Sequence, residues 1–185
     1  MLLLWILAAS AQDPEVVQAE YRRLHEESKK LAQKHRWEGV ERLYDELREL
    51  GVPLSYEDHM LGAQASRVEG DIAEMLLRLD AAAAIEPGSE ADNLRLEVRE
   101  DWLYVELTTE PLTPTLFDSK GLFIAADQRA TIGNAKAQVE ATGQYVGWLP
   151  PGRYRFAGQP FEITPEDEGT FSHTQDMGWG GKNLR

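Results

Sequence analysis

The 185 residues contain no cysteine, and no apolar run is long enough to span a membrane. The first absence removes disulfides, thiol catalysis, cysteine-ligated zinc and a lipid-bearing cysteine. Positive charge is short as well: 19 Lys and Arg stand against 32 Asp and Glu, a formal net charge of −13. Nucleic acid is thereby a poor partner, because phosphate binding needs a basic face. The catalytic patterns are missing too. The sequence holds no H-E-x-x-H, no histidine pair at helical ligand spacing, no G-x-S-x-G elbow and no D-x-D-x-D-G calcium loop. Gly178-Trp179-Gly180-Gly181-Lys182 fails as a phosphate loop, since Asp176 and Asn183 occupy the places where Gly and Ser or Thr are required. His25, His35, His59 and His173 therefore read as structural or solvated, Ser66 and Ser119 have no identifiable base, and Asp167, Glu168 and Asp176 are too loosely placed to form a site. The expectation is a chain with no catalytic residue, no metal and no cofactor.

What is present is uneven charge. Residues 37–92 carry fourteen acidic and four basic side chains, a net of −10, whereas residues 13–36 carry five acidic and six basic, a net of +1. Such a division is either a solvated acidic helical surface or a bipolar surface that orients a partner. The most apolar stretch is Leu2 to Ala9. It is followed by the small-x-small site Ala9-Ser10-Ala11 and polar Gln12-Asp13-Pro14. This order predicts a secretory signal peptide over residues 1–11, export, and a periplasmic or envelope-associated mature protein.

Asp13-Pro14 predicts a helix start, with Asp as the cap and Pro at the first helical position. That helix runs to about His35, turning Val17, Tyr21, Leu24, Leu31 and Ala32 inward. Trp37, Val40, Leu43, Tyr44, Leu47 and Leu50 step by three and four, and Gly51-Val52-Pro53 ends this second helix. Ser55 and Asp58 have capping-box spacing ahead of a third helix. Ile72, Met75, Leu76, Leu79 and Ala83 make the stripe of a fourth. After Pro87-Gly88-Ser89 the period changes to two. Leu94, Leu96 and Val98 alternate with Arg95, Glu97 and Arg99, and Leu103, Val105 and Leu107 repeat the pattern. Residues 122–125, 135–141, 153–156 and 161–163 are read as further strands. The fold class expected is α+β: antiparallel helical hairpins followed by a small antiparallel β-sandwich. The expected domains are residues 12–88 and 93–165, with a flexible polar, Gly-rich tail over 166–185.

The helical half resembles the tetratricopeptide repeat family over residues 21–88. The resemblance rests on Gly70-Asp71-Ile72 as the turn, Ala82 as the small residue and Pro87 as the closing residue. A weaker copy lies 35 residues upstream, where Trp37 is in register with Ile72 and Tyr44 with Leu79. In that copy Val40 and Leu47 stand where small alanines are usual. The β half is similar to PEGA or carboxypeptidase-regulatory-like modules through Leu149-Pro150-Pro151-Gly152-Arg153-Tyr154, in which Pro-Gly suits a type II turn. These resemblances imply a non-catalytic, exported scaffold or adaptor that holds a protein partner in a bacterial cell-envelope assembly. Membrane contact would be indirect, and a homo-oligomer is compatible with having two repeats where about three normally make a stable array. Repeat position implies a concave groove of Arg22, His25 and Lys29 in the first repeat, with Glu57, Met60, Gln64 and Arg67 in the second, suited to an acidic or C-terminal peptide. Trp179, alone in a polar tail, is a further candidate partner contact. The alternative is a carbohydrate- or peptidoglycan-binding module that uses Trp148, Tyr145 and Tyr154 as exposed aromatic platforms.

Overall fold

The computed structural model describes residues 13–121, 123–167 and 169–177. They fall into two compact units, one ending at Leu54 and the other starting at Ser55. The first unit is a helix pair. Helix α1 (Pro14–Gln33) starts at Asp13, whose carboxylate accepts a hydrogen bond from the Glu15 N–H at 3.0 Å, with Pro14 at the first position. His35, at φ 54°, turns the chain into α2 (Trp37–Glu49). Leu24, Leu43 and Leu47 are buried together, with Tyr21, Leu31, Leu50 and Leu54 half-buried around them. The helices approach closely at Gly39, where a Cβ would lie 2.8 Å from Cδ1 of Leu31. The small residue at this crossing is thus a neighbour of Val40.

The second unit opens with α3 (Tyr56–Glu69), capped reciprocally. The Asp58 N–H donates to Ser55 Oγ at 3.2 Å, and the Ser55 N–H donates to Asp58 Oδ2 at 2.9 Å. Gly70 ends α3 at φ 80°, and Asp71 caps α4 (Ile72–Ile85) by accepting from the Glu74 N–H at 2.9 Å. Ile72, Met75, Leu76, Leu79, Ala82 and Ala83 bury one face of α4, and Ala91, Val98 and Trp102 join them from α5 (Glu90–Asp101) and its end. Arg78 is buried in this helical layer. Its Nη1 donates to the Gly62 carbonyl at 2.8 Å and its Nε to Glu74 at 3.0 Å, so its charge is compensated where apolar packing alone would strand it.

Two three-stranded sheets follow. The strands β1 (Leu103–Glu110), β3 (Gln144–Leu149) and β6 (Thr170–Asp176) form one in the order β3-β1-β6, with β1 and β3 antiparallel but β1 and β6 parallel. The other is antiparallel, with order β2-β4-β5 from β2 (Phe117–Lys120), β4 (Gly152–Phe156) and β5 (Gln159–Ile163). Helix α6 (Ala126–Thr142) lies between β2 and β3 in the chain. It shares one core with both sheets, in which Ile132, Ala135 and Val139 meet Val105, Leu107, Phe117, Tyr145, Tyr154 and Phe156. The α3–α4 turn is bound to α6. Thr131 Oγ1 donates to the Gly70 carbonyl at 3.1 Å, Asn134 Nδ2 donates to the Glu69 carbonyl at 2.8 Å, and Arg67 Nε pairs with Asp127 at 2.8 Å.

The mixed α+β class holds, and the first four helices lie where the periodicity puts them. Several strand expectations do not hold. Residues 94–99 belong to α5 and residues 135–141 to α6, both helical. Phe123 to Ala125 form no strand. Part of the expected tail, Thr170–Asp176, is a strand, and its parallel pairing with β1 departs from an all-antiparallel arrangement. Compactness divides the chain at Leu54 and Ser55, whereas the composition shift lies near residues 86–93. The bonds from Gly70, Glu69 and Arg67 to α6 are the reason. Residues 1–11 and Trp179 lie outside the described residues.

Candidate binding cleft

The expected groove residues divide between the units. Arg22, His25 and Lys29 are spaced along α1 in the first. Arg22 is exposed and donates from Nε to its own helix at the Gln18 carbonyl, 3.3 Å away, and His25 stacks on Tyr21 with ring centroids 6.1 Å apart. Lys29 is half-buried. In the second unit Glu57 and Gln64 are exposed on α3. Met60 packs against the helical core, so it serves the interior. Arg67, expected as a solvent-facing groove cation, is held by Asp127 across 60 positions of sequence and ties α3 to α6. Tyr145 and Tyr154 are 7% and 2% exposed, which removes both as platforms for a sugar ring. Their hydroxyls are satisfied internally, Tyr145 donating to the Trp148 carbonyl at 3.0 Å and Tyr154 to the Pro150 carbonyl at 2.6 Å. Burial pushes both phenols up from the ordinary tyrosine value.

Trp148 is different. Side chains alternate along β3, so Tyr145, Gly147 and Leu149 face the sheet core while Val146 and Trp148 face the other way. The β1–β3 register sets Trp148 opposite Tyr104, and the two rings meet edge to face with centroids 5.6 Å apart. From there the indole packs on the helical core. Helix α5 stops at Trp102, whose extended backbone (φ −136°, ψ 141°) leads into β1 and leaves Arg99 and Glu100 in the last turn. A third part of the lining comes from the residues after β5, where the Thr164 N–H donates to Asp167 Oδ2 at 2.6 Å and the Asp167 N–H donates to the Thr164 carbonyl at 3.1 Å.

These three segments enclose a cleft of about 550 Å³ lined by Trp102, Leu103, Trp148, Pro165 and Gly169, with Arg99, Glu100 and Asp167 as its charged members. That volume lies in the range of small-molecule and side-chain pockets. Neither Arg99 nor Glu100 takes part in an ion pair among the described residues, so both charges are available to a ligand. Asp101 and Glu166, next in sequence, are exposed. Two other hollows are less suited to a ligand. One of about 200 Å³ beside Asp71, Asn134, Gln138 and Trp148 is small. The other, about 420 Å³ along Lys120, Arg153 and Arg155, has Arg153 already paired with Glu162 at 3.1 Å.

Sequence reasoning named Trp148 but missed the cleft, because its walls come from segments far apart in the chain. His173, read from sequence as structural or solvated, stands among Phe156, Phe161 and Phe171 with centroids 6.0 to 6.4 Å from its ring, and its buried Nε2 has no hydrogen-bond partner among the described residues. Among the described residues no group of three or more His, Asp and Glu side chains is placed to hold a metal ion. No family model, curated protein or solved structure matches the chain.

Proposed function

We propose that this chain is a non-catalytic scaffold or adaptor, exported to the envelope of a bacterium, that holds a protein partner. The observation that carries the reading is the Trp148 cleft: a half-buried indole in a lined hollow with charged side chains has the composition of an interface hot spot. The helical hairpins belong to the same reading as repeat-like elements, supported by the left-handed Gly70, the buried Ala82 and Pro87 just beyond α4. For the regulatory-like β-module the support is Tyr154 alone, buried in the shared core; Gly152 opens β4 without a positive φ, so the Pro151-Gly152 pair makes no type II turn. Export rests on Leu2 to Ala9 and the small-residue site that follows.

The test is co-purification from the native host, identification of the bound protein and reconstitution of the complex from purified parts. Charge reversal beside the cleft, Glu100→Lys with Glu166→Lys, both exposed, leaves the fold intact and weakens the reconstituted complex by about tenfold or more, roughly 1.4 kcal/mol. A reconstituted complex indifferent to that double change places the contact elsewhere. Turnover of a small substrate by the purified chain overturns the non-catalytic reading. The partial exposure of Trp148 also favours a second reading, a carbohydrate-binding module, now reduced to one aromatic platform; a glycan array tests it.

A further inference from the structure

We infer that the cleft recognises a cation, the side chain of a lysine or arginine on the protein partner; the inference rests on the partner-binding reading above. The floor is aromatic. Trp102, 8% exposed, and the half-buried Trp148 both line the cavity, and Tyr104 holds Trp148 edge-on. The face of an indole carries the negative end of the ring quadrupole and is the strongest of the aromatic faces for a positive charge. The lining carries two acids, Glu100 at the end of α5 and Asp167 in the turn before β6, with exposed Asp101 and Glu166 next to them in sequence. Among the described residues Arg99 is the single positive charge of the lining. A net charge of −13 adds a long-range field that draws cations and repels anions. The cavity, at about 550 Å³, has room for a guanidinium or ammonium on its alkyl stem.

A long basic side chain suits this chemistry at both ends. Its methylenes lie on apolar Leu103 and Pro165 while its head group reaches the indole and the carboxylates. The ligand charge is opposite to that of the acidic peptide expected from the sequence, and Arg67, one of the cations named for that peptide, is already paired with Asp127. Arg99 opposes the cation, which gives the inference a sign that generic stickiness does not share. Removing an acid weakens binding, and turning Arg99 into an acid strengthens it.

The experiment follows the indole N–H signals of the full chain by nuclear magnetic resonance, assigned by Trp148→Phe and Trp102→Phe. The probes are Nα-acetyl-arginine amide, Nα-acetyl-lysine amide, acetate and N-acetylglucosamine. The cationic amides move the Trp148 signal saturably, and acetate and the sugar leave it in place. Glu100→Gln with Asp167→Asn weakens the arginine amide by about fivefold, and Arg99→Glu tightens it by about threefold. High salt weakens it further, since a rim-exposed charge interaction is screened. Movement with acetate that Arg99→Gln abolishes overturns the cation inference while leaving partner binding intact. Movement with N-acetylglucosamine overturns it in favour of the carbohydrate reading. Stillness with every probe also overturns it, and the reconstituted complex then decides separately whether the cleft binds a partner at all.

Discussion

The first unit rests on Leu24, Leu43 and Leu47 between two helices. The second rests on two clusters, one joining α4 and α5 to Trp102 and one joining α6 to both sheets. Around the smaller core the sequence invests in exposed ion pairs such as Arg23 with Glu20 at 2.6 Å and Glu27 at 2.7 Å. The larger unit adds stacked aromatic rings, Tyr154 on Phe117 and Phe161 on Phe171. Surface pairs contribute little and packed rings contribute much. The difference is sharpest where the two units repeat one device. Gly51 and Gly70 follow α2 and α3 at φ 68° and 80°, yet nothing lies within 4 Å of a Cβ built at Gly51, while one at Gly70 would stand 2.3 Å from the Thr131 backbone nitrogen. A left-handed helix end is a local necessity in the first unit. In the second it is also a docking point for α6, and the cleft belongs to that tightly joined unit.

The largest expected effect is in the shared sheet core. Phe156→Ala removes a fully buried ring and costs the second unit about 4 kcal/mol, read as a drop in the urea midpoint of its sheet signals; α1 and α2 do not report that loss directly. Next comes the glycine pair. Gly70→Ala costs about 3 kcal/mol, because a strained φ is joined by a backbone collision, and Gly51→Ala costs about 1 kcal/mol from the φ alone. Equal costs would remove the distinction between the two turns.

High pH gives a smaller, graded effect. The raised pKa values of Tyr145 and Tyr154 mean that the folded protein keeps both phenols neutral while the unfolded chain ionises near the ordinary tyrosine value of about 10. Stability is therefore full below that value and falls above it, by about 1.4 kcal/mol per pH unit for each buried phenol. Phenolate absorbance checks this: Tyr145 and Tyr154 ionise only with unfolding. The smallest effect is at Arg23→Ala. Hydrogen bonding from Arg23 holds the Glu20 carboxyl below its usual value, a contribution present above the carboxylate range and lost as pH falls through the folded value. Both side chains are in solvent, so the thermal midpoint stays within error at neutral pH.

Helix ends and amphipathic stripes were legible in the sequence because single residues carry them: Asp13-Pro14, Ser55 with Asp58, Gly70, and the stripe from Ile72 to Ala83. Strands β1, β4 and β5 were legible through alternation. Alternation also misled. In α5 only Ala91 and Val98 are buried, and Leu96, at 56% exposure, made the run look two-periodic. In α6 the buried residues Ala135 and Val139 are four apart, whereas Ala137 and Ala141 are exposed. Alanine tolerates either setting and can imitate a strand. Strand β6 was hidden because its half-buried positions are Phe171, His173 and Gln175, a single large apolar residue among polar ones. The cleft had no motif to find. Its chemistry is assembled from the end of α5, a strand-paired tryptophan and the turn before β6, and the β1–β3 and β1–β6 registers bring them together.

Native-state hydrogen exchange, read residue by residue, tests most directly whether α3 and α4 belong with α6 and the sheets. Amides of α3, α4, β1 and β4 should share one opening free energy, and Gly70→Ala should lower them together while α1 and α2 keep their own value. Exchange of α3 and α4 in step with α1 and α2, and apart from the sheets, would contradict the account.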